Sequence, residues 1–413
     1  MKKNNTFRRA AALMAALSIT VSLAAPAFAG TYYIDDGDIT ITKNADGSQT
    51  IKQQGKEDCT DQVGDETVIT THGQAITSLE SDLEGPAAED SGFGPVAEDN
   101  YQPTQPESTE EPKGADQPES AEEPKSADQH ESAEQAQPQQ AAPAAAPAGS
   151  TPVNKKDDGF WGNTITVINN FADKVLNLTL KDVKIDVSDT GGDNFEFEDD
   201  QRGKAALSVQ GKGNVEIELD GNNELKSGKG RAGLEKTSTG TLTLKDDNKE
   251  AGSLTATGGY NGAGIGGGNG DGAENITITG GTVTATGGSS GAGIGGGREG
   301  KGENITITGG TVNATGNEDG AGIGGGSSGS GENITINDGK VTATGGSYAA
   351  GIGGGSVGAW GGDAGSGKNI TINGGTVNAT GTDGGAGIGG DENGNGEDIT
   401  ITGGKVNASG AYG

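Results

Sequence analysis

Residues 262–288 decide the fold: Gly262-Ala-Gly-Ile-Gly-Gly-Gly268 is followed by a polar turn, Glu274-Asn-Ile-Thr-Ile-Thr-Gly-Gly281 and Thr282-Val-Thr-Ala-Thr-Gly-Gly288. The three phrases recur to the end of the chain, and the isoleucine of the first phrase stands at Ile265, Ile294, Ile323, Ile352 and Ile388. These positions are separated by 29, 29, 29 and 36 residues. A regular spacing of this size indicates one supersecondary unit per repeat, stacked on its copies.

Two of the three phrases alternate apolar and polar residues. Ile276 and Ile278 alternate with threonines, and so do Val283 and Ala285. Such alternation is typical of half-buried strands, and the glycines around Ile265 permit tight corners. Three short strands and three turns per repeat predict an all-β fold, a right-handed parallel β-helix (a solenoid) with aliphatic side chains inside and polar side chains outside.

Equivalent residues of stacked coils should form columns, because neighbouring strands lie about 4.8 Å apart. One predicted column is an amide ladder of Asn275, Asn304, Asn333 and Asn369, completed by Asp398. A second column places the hydroxyls of Thr277, Thr306, Thr335, Thr371 and Thr400 on an outer face. Both columns are predictions that the register of a structure can test.

Residues 159–258 contain degenerate copies of the same coil. The phrases beginning at Asn177, Asn214 and Thr241 align with the phrase beginning at Asn275. The predicted core column is Leu207, Leu234, Ile265, Ile294, Ile323, Ile352 and Ile388. The same alignment predicts a charged column of Lys181, Glu218 and Lys245. The solenoid should therefore have about seven to eight coils.

The rest of the chain divides by composition. Residues 1–29 have the basic start, the apolar core and the Ala27-Phe-Ala29 cleavage pattern of a signal peptide. Residues 30–81 carry strand signals, and we expect a small β cap that docks on the solenoid. Residues 82–158 are rich in proline, glutamate, alanine and glutamine, which predicts a disordered acidic linker. Residues 159–413 are the repeat domain, which we expect to continue beyond the last residue.

The net charge of the chain is -31. Such an acidic chain repels nucleic acid and anionic membranes, so neither is an expected partner. No second apolar run is long enough to cross a bilayer, and we expect no membrane insertion after signal cleavage. The predicted location is secreted, extracellular or at the cell surface.

The repeats also resemble a known group of proteins. The run Gly240-Thr-Leu-Thr-Leu-Lys-Asp-Asp-Asn248, followed by Gly252-Ser-Leu-Thr-Ala-Thr-Gly-Gly259 and by the phrase at Gly262, resembles bacterial cell-surface proteins that carry a β-helical carbohydrate-binding domain. The resemblance covers about residues 159–413. It implies a shape similar to pectate lyases, with calcium and polysaccharide binding but no cleavage.

Sugar-binding sites use aromatic platforms, and the repeats contain few aromatic residues. Trp360 lies in the seven-residue insertion that lengthens one repeat to 36 residues, with Asp363 beside it. Tyr260 and Tyr348 precede the isoleucines of two coils. We therefore predict a carbohydrate-binding set of Trp360, Asp363, Tyr348 and Tyr260. The alternative is that Trp360 folds back to cover a glycine-rich turn.

Oxygen ligands in a turn suggest calcium. Asp391, Asn393 and Asn395 match the first half of a calcium-binding loop, whose closing glutamate is replaced by Thr402, and Glu397 adds a nearby carboxylate. The Gly-Ala-Gly-Ile-Gly-Gly phrase formally matches a dinucleotide fingerprint, but it recurs and no helix follows it. We therefore expect calcium as the one candidate cofactor and no organic cofactor.

Three functions remain open at this stage. The first is a non-catalytic carbohydrate-binding or adhesive module whose partner is a polysaccharide or a host or cell-wall glycan. The second is a structural stalk or spacer with no glycan of its own. The third is a polysaccharide lyase-like enzyme, which the scattered arginines Arg202, Arg231 and Arg298 disfavour because none has a repeated partner.

Overall fold

A computed structural model describes residues 30–64, 67–72, 154–156, 158–194, 201–248, 250–357 and 363–411. The predicted signal peptide, nearly all of the predicted linker and Trp360 lie outside these residues. The described chain forms 29 strands and one short 3-10 turn at Ile34–Asp36. No helix in the described part is long and apolar enough to cross a membrane.

The strands build three faces, which we number by their order within a repeat. Face 1 is nine parallel strands: β2 (Ile39–Lys43), β6 (Ile165–Asn169), β9 (Leu207–Gly211), β11 (Leu234–Lys236), β14 (Ile265–Gly266), β17 (Ile294–Gly295), β20 (Ile323–Gly324), β23 (Ile352–Gly353) and β26 (Ile388–Gly389). Two antiparallel strands, β3 (Gln49–Gln53) and β4 (Cys59–Asp61), cover the edge of β2.

Face 2 carries the second phrase. Its strands are β1 (Thr31–Tyr33), β5 (Thr67–Thr70), β7 (Val175–Lys181), the first half of β10 (Asn214–Lys226), β12 (Leu242–Lys245), β15 (Ala273–Ile278), β18 (Gly302–Ile307), β21 (Gly331–Ile336), β24 (Gly367–Ile372), β27 (Gly396–Glu397) and β28 (Thr400–Ile401). The pairs along this face are parallel, from β1 on β5 to β24 on β28.

Face 3 carries the third phrase. Its strands are β8 (Lys184–Asp186), the second half of β10, β13 (Gly252–Thr257), β16 (Thr282–Thr286), β19 (Thr311–Thr315), β22 (Lys340–Thr344), β25 (Thr376–Thr380) and β29 (Lys405–Ser409). The strand β10 runs through 13 residues and so belongs to faces 2 and 3. The three parallel faces confirm the predicted parallel β-helix.

The predicted core column is confirmed and is longer than expected. Leu207 pairs with Leu234, Leu234 with Ile265, and each isoleucine with the next as far as Ile388. Ile165 and Ile39 extend the column in the other direction. The expected seven to eight coils were thus too few, because these two residues lie outside any Gly-Ala-Gly-Ile phrase.

The predicted polar columns also form. Asn304, Asn333 and Asn369 each donate a side-chain N–H to the amide oxygen of the asparagine one coil earlier, at 3.1, 3.1 and 2.6 Å. Asn275 and Asp398 share their left-handed backbone, with φ of 60° and 53°. A carboxylate has no N–H, so Asp398 cannot continue the amide ladder. The threonine column pairs as predicted on face 2.

One predicted alignment is wrong. Asn214 lies opposite Val175, and Lys181 lies opposite Asp220, so Lys181 is two residues out of the charged column. Lys181 instead forms an ion pair with Glu250 at 2.5 Å. Glu218 and Lys245 do pair as predicted. A shift of two residues leaves the same side chains facing inward, so the alternating pattern could not exclude it.

Glycine in the first phrase is required by close backbone contact. A Cβ on Gly291 would lie 2.0 Å from the carbonyl oxygen of Gly262. A Cβ on Gly295 would lie 1.9 Å from the carbonyl oxygen of Gly324, and Gly295 also has φ of +137°. The glycines therefore allow successive coils to approach, and a side chain at either place would separate them.

Candidate functional site

The structure places the two tyrosines of the predicted sugar-binding set apart. Tyr260 and Tyr348 are 50% and 46% exposed and lie in equivalent corners before Ile265 and Ile352. These corners are three coils apart, or about 14 Å along the solenoid. Asp363 is exposed, and Trp360 lies outside the described residues. The sugar-binding role of the four residues stays a prediction.

A cavity joins Tyr348 to part of the predicted calcium set. We call it the corner cavity; its volume is about 360 Å³, and it is lined by Asp319, Tyr348, Ser356, Val357, Asp391, Glu392 and Asn393. The lining comes from three successive coils. The turn before Ile323 supplies Asp319, the turn before Ile352 supplies Tyr348, and the turn after Ile388 supplies Asp391. Residues far apart in the sequence thus share one wall because the coils stack.

Backbone hydrogen bonds hold this lining in place. The amide of Ser356 donates to the carbonyl of Asp319 at 2.7 Å, and the amide of Glu392 donates to the carbonyl of Tyr348 at 3.1 Å. Tyr348 has φ of 61°, a left-handed conformation that is unfavourable for a bulky residue. Such a conformation persists where its surroundings hold it and is commonly found at binding sites.

Two of the carboxyl groups are perturbed by burial. Burial raises the pKa of Asp391, although the amides of Asn393, Gly394 and Gly365 oppose the shift. Burial also raises the pKa of Asp319, and the nearby carboxylate of Glu318 adds to the effect. The corner cavity contains no lysine, arginine or histidine among its described lining residues. Its carboxylates are hydrogen-bond acceptors, the hydroxyl of Ser356 and the side-chain amide of Asn393 can both donate and accept, and an aromatic ring lies beside them.

The predicted calcium residues are only partly brought together. Asp391 accepts the amide N–H of Asn393 through Oδ1 at 2.9 Å, which closes a turn. The amide N–H of Asn395 donates to the hydroxyl of Ser366 at 3.2 Å. Glu397 lies on β27, opposite Lys368, with their charged atoms 3.7 Å apart. The calcium-binding role of these four residues stays a prediction.

Another cluster was not found from the sequence. Among the described residues, Asp35, Asp36 and His72 form the one group of three acidic or histidine side chains whose ligand atoms lie within 4.8 Å of one another. Nδ1 of His72 is 2.9 Å from Asp35, and its ring stacks on Tyr33. Lys56 pairs with Asp36. Hydrogen bonds and ion pairs account for this arrangement, which joins two ends of the first coil.

The comparisons with known proteins agree with the fold. A family model described as a beta helix repeat matches residues 250–269, 276–298, 305–327, 334–356, 370–394 and 399–413. The chain matches no curated protein and no solved structure. The four matched segments between residues 276 and 394 each include residues from strands of all three faces, and the match describes the repeat without naming a ligand. Together with the stacking of Ile265 on Ile294, it shows that these repeats form a β-helix.

Proposed function

We propose that the protein is a secreted or cell-surface module that binds a glycan without cleaving it, and that the corner cavity is its sugar-binding site. One observation carries the proposal. The exposed ring of Tyr348 lies beside the buried or half-buried carboxylates of Asp319 and Asp391 around a single cavity.

The chemistry of the lining suits a sugar. A sugar presents several hydroxyl donors, and carboxylate oxygens accept such hydrogen bonds strongly. Its C–H faces pack on an aromatic ring, and Tyr348 offers one that is half exposed. The volume of about 360 Å³ lies within the ~300–1,000 Å³ range of small-molecule sites. One sugar unit of a longer glycan is therefore a suitable occupant.

The lining gives less support to catalysis. A lyase needs a base beside its acidic groups, and the described lining has no basic side chain. Burial and Glu318 raise the pKa of Asp319, and burial and Glu392 raise that of Asp391, so neither shift points to two carboxyl groups that share a proton. Release of shortened or unsaturated sugars from a polysaccharide would contradict this part of the proposal.

The test is the affinity of the full chain for a panel of soluble polysaccharides, measured by titration calorimetry with calcium and with a chelator. We expect Tyr348→Ala to weaken binding by roughly tenfold, the value of one aromatic contact. Tyr260→Ala is the matched control, because Tyr260 has nearly the same exposure and an equivalent corner but does not line the cavity. Equal effects of the two substitutions would overturn the assignment of the site.

A structural stalk is the second candidate. The observation that favours it is the continuous column from Ile39 to Ile388, supported outside by the amide ladder, which stiffens the solenoid without any ligand. The same titrations distinguish the two functions. If the unaltered chain binds no glycan of the panel, with or without calcium, the stalk is favoured and the sugar-binding proposal fails.

A further inference from the structure

A second cavity lies where face 1 changes its geometry. The strand β11 has three residues, Leu234–Lys236, whereas the next strand, β14, has only two, Ile265–Gly266. Glu235 pairs with Gly266, whose φ of +138° turns the chain off the face. The next coil therefore offers no strand partner for Lys236, and a space remains beside it.

We call this space the seam cavity. Its volume is about 430 Å³, and it is lined by Lys236, Thr237, Ser238, Thr239, Gly270, Asp271, Gly272, Ala273, Glu274, Glu299, Gly300, Lys301 and Glu303. The lining comes from three successive coils and contains four carboxylates and two lysines. The corner cavity shares none of these residues.

Lys236 is the unusual member of this lining. Its side chain is only 2% exposed, and its ammonium donates to the carbonyl of Ser238 at 2.6 Å. No carboxylate lies within ion-pair distance of it in the described structure. Buried lysines are almost always paired with an opposite charge. The hydroxyl of Ser238, 4% exposed and in the same wall, has no hydrogen-bond partner among the described residues.

The other charges of the cavity are partly satisfied. Lys301 is 3.1 Å from Glu332 and 3.7 Å from Glu303, and Arg202 is 3.2 Å from Asp271. Glu274 pairs along the face with Glu303, a residue of the same charge. Lys236 has the carbonyl of Ser238 as its hydrogen-bond partner and no ion-pair partner, while Glu274 lines the same cavity beside a residue of like charge. A ligand that carries one charge only would satisfy one group and be repelled by the other.

We propose that the seam cavity binds a small zwitterion of the amino-acid type, a free amino acid or a short peptide. Its carboxylate accepts hydrogen bonds from Lys236 and Ser238, and its ammonium pairs with Glu274. This ligand supplies the counter-ion that the buried lysine lacks, and the volume lies within the ~300–1,000 Å³ range of small-molecule sites. The proposal is independent of glycan binding at the corner cavity.

The experiment is titration calorimetry of the full chain with alanine and with alanyl-alanine, using acetate and methylamine as probes that carry one charge each. We expect at least one zwitterion to bind, and both single-charge probes to bind at least roughly tenfold more weakly. Lys236→Met and Glu274→Gln should each weaken zwitterion binding by roughly tenfold or more. Lys340→Met is the control, because Lys340 is exposed and remote from the lining.

Circular dichroism of each variant shows whether it folds. If Lys236→Met does not fold, Glu274→Gln, which preserves the size of the side chain, still tests the proposal. The proposal is overturned if neither zwitterion binds, if acetate or methylamine binds as tightly, or if both variants bind as the unaltered chain does. Glycan binding at Tyr348 is read in separate titrations, so either proposal can fail alone.

Discussion

The coils up to residue 257 and the coils after it share a core but build their exteriors differently. In the earlier coils, strand lengths vary, β10 spans two faces, and long charged side chains pair across the surface, as Lys184 does with Glu224 at 2.6 Å. In the later coils, two-residue Ile–Gly strands alternate with closely similar threonine-containing strands, and an amide ladder runs along face 2. The comparison teaches that the same aliphatic column can be enclosed either by side chains or by closely packed backbone.

Replacing a glycine of the later coils should have the largest effect. Gly295→Ala places a Cβ 1.9 Å from the carbonyl oxygen of Gly324, at φ of +137°. We expect a loss of about 3 kcal/mol or more in the free energy of unfolding, measured by urea denaturation. Ser208 occupies the same column as Gly295 and lies two coils before Gly266. Ser208→Ala should therefore lower the free energy of unfolding much less. Similar losses for both would remove the distinction between the two regions.

The seam cavity lies between the two regions, and its buried lysine should make the free energy of unfolding depend on pH. Burial lowers the pKa of Lys236 to about 8, although Glu274 opposes the shift, whereas in the unfolded chain its ordinary value is 10.5. Between these values the unfolded chain binds more protons, so stability rises with pH; below pH 8 the buried charge costs about 3 kcal/mol.

Lys236→Met should remove this part of the pH dependence and stabilise the protein most near neutral pH. The measurement is the free energy of unfolding of both proteins from pH 7 to pH 10.5. Lys340→Met, at an exposed position, controls for the general loss of a lysine. If the stability of Lys236→Met and of the unaltered chain changes in parallel with pH, burial does not lower the pKa of Lys236.

The amide ladder of the later coils should contribute a smaller amount. Asn304→Ala removes two side-chain hydrogen bonds of 3.1 Å and leaves a Cβ at φ of +54°. We expect a loss of about 2 kcal/mol in urea denaturation. Asn304→Gly removes the same bonds, but glycine adopts the left-handed backbone without strain. We therefore expect a loss of only about 1 kcal/mol in the free energy of unfolding. If glycine costs as much as alanine, the left-handed turn contributes nothing.

The ion pairs of the earlier coils should contribute least. Burial lowers the pKa of Lys245, but Glu216 at 3.2 Å, with Glu218 and Asp247 at 3.9 Å, outweighs it and raises the pKa overall. Lys245→Gln should cost at most about 1 kcal/mol, less in high salt. Thr306→Ala, on the same face of a later coil, should change the free energy of unfolding by an amount that does not depend on salt. A salt-independent loss at Lys245 would indicate packing of its methylene groups instead.

The candidate sites were only partly visible in the sequence. Tyr348 and Asp391 were selected, one as a sugar platform and one as a calcium ligand, but nothing in their spacing of 43 residues brings them together. Asp319 was missed because its equivalents in other coils are Asn261 and Ser290, ordinary turn residues. Lys236 was missed because a lysine at the end of a strand is normally solvated, and its burial depends on the shorter strand of the next coil.

By itself, the sequence determined the repeat, the inward column from Leu207 to Ile388 and the amide ladder, because alternation and a fixed spacing allow one closed coil per unit. The tertiary structure alone decided the register of β7, the inclusion of Ile39 and Ile165 in the column, and the two cavities. A shift of two residues preserves every inward side chain, so only hydrogen bonding between neighbouring coils fixes it. The cavities arise where successive coils differ in length or in side-chain size, and that mismatch exists only after the coils are stacked.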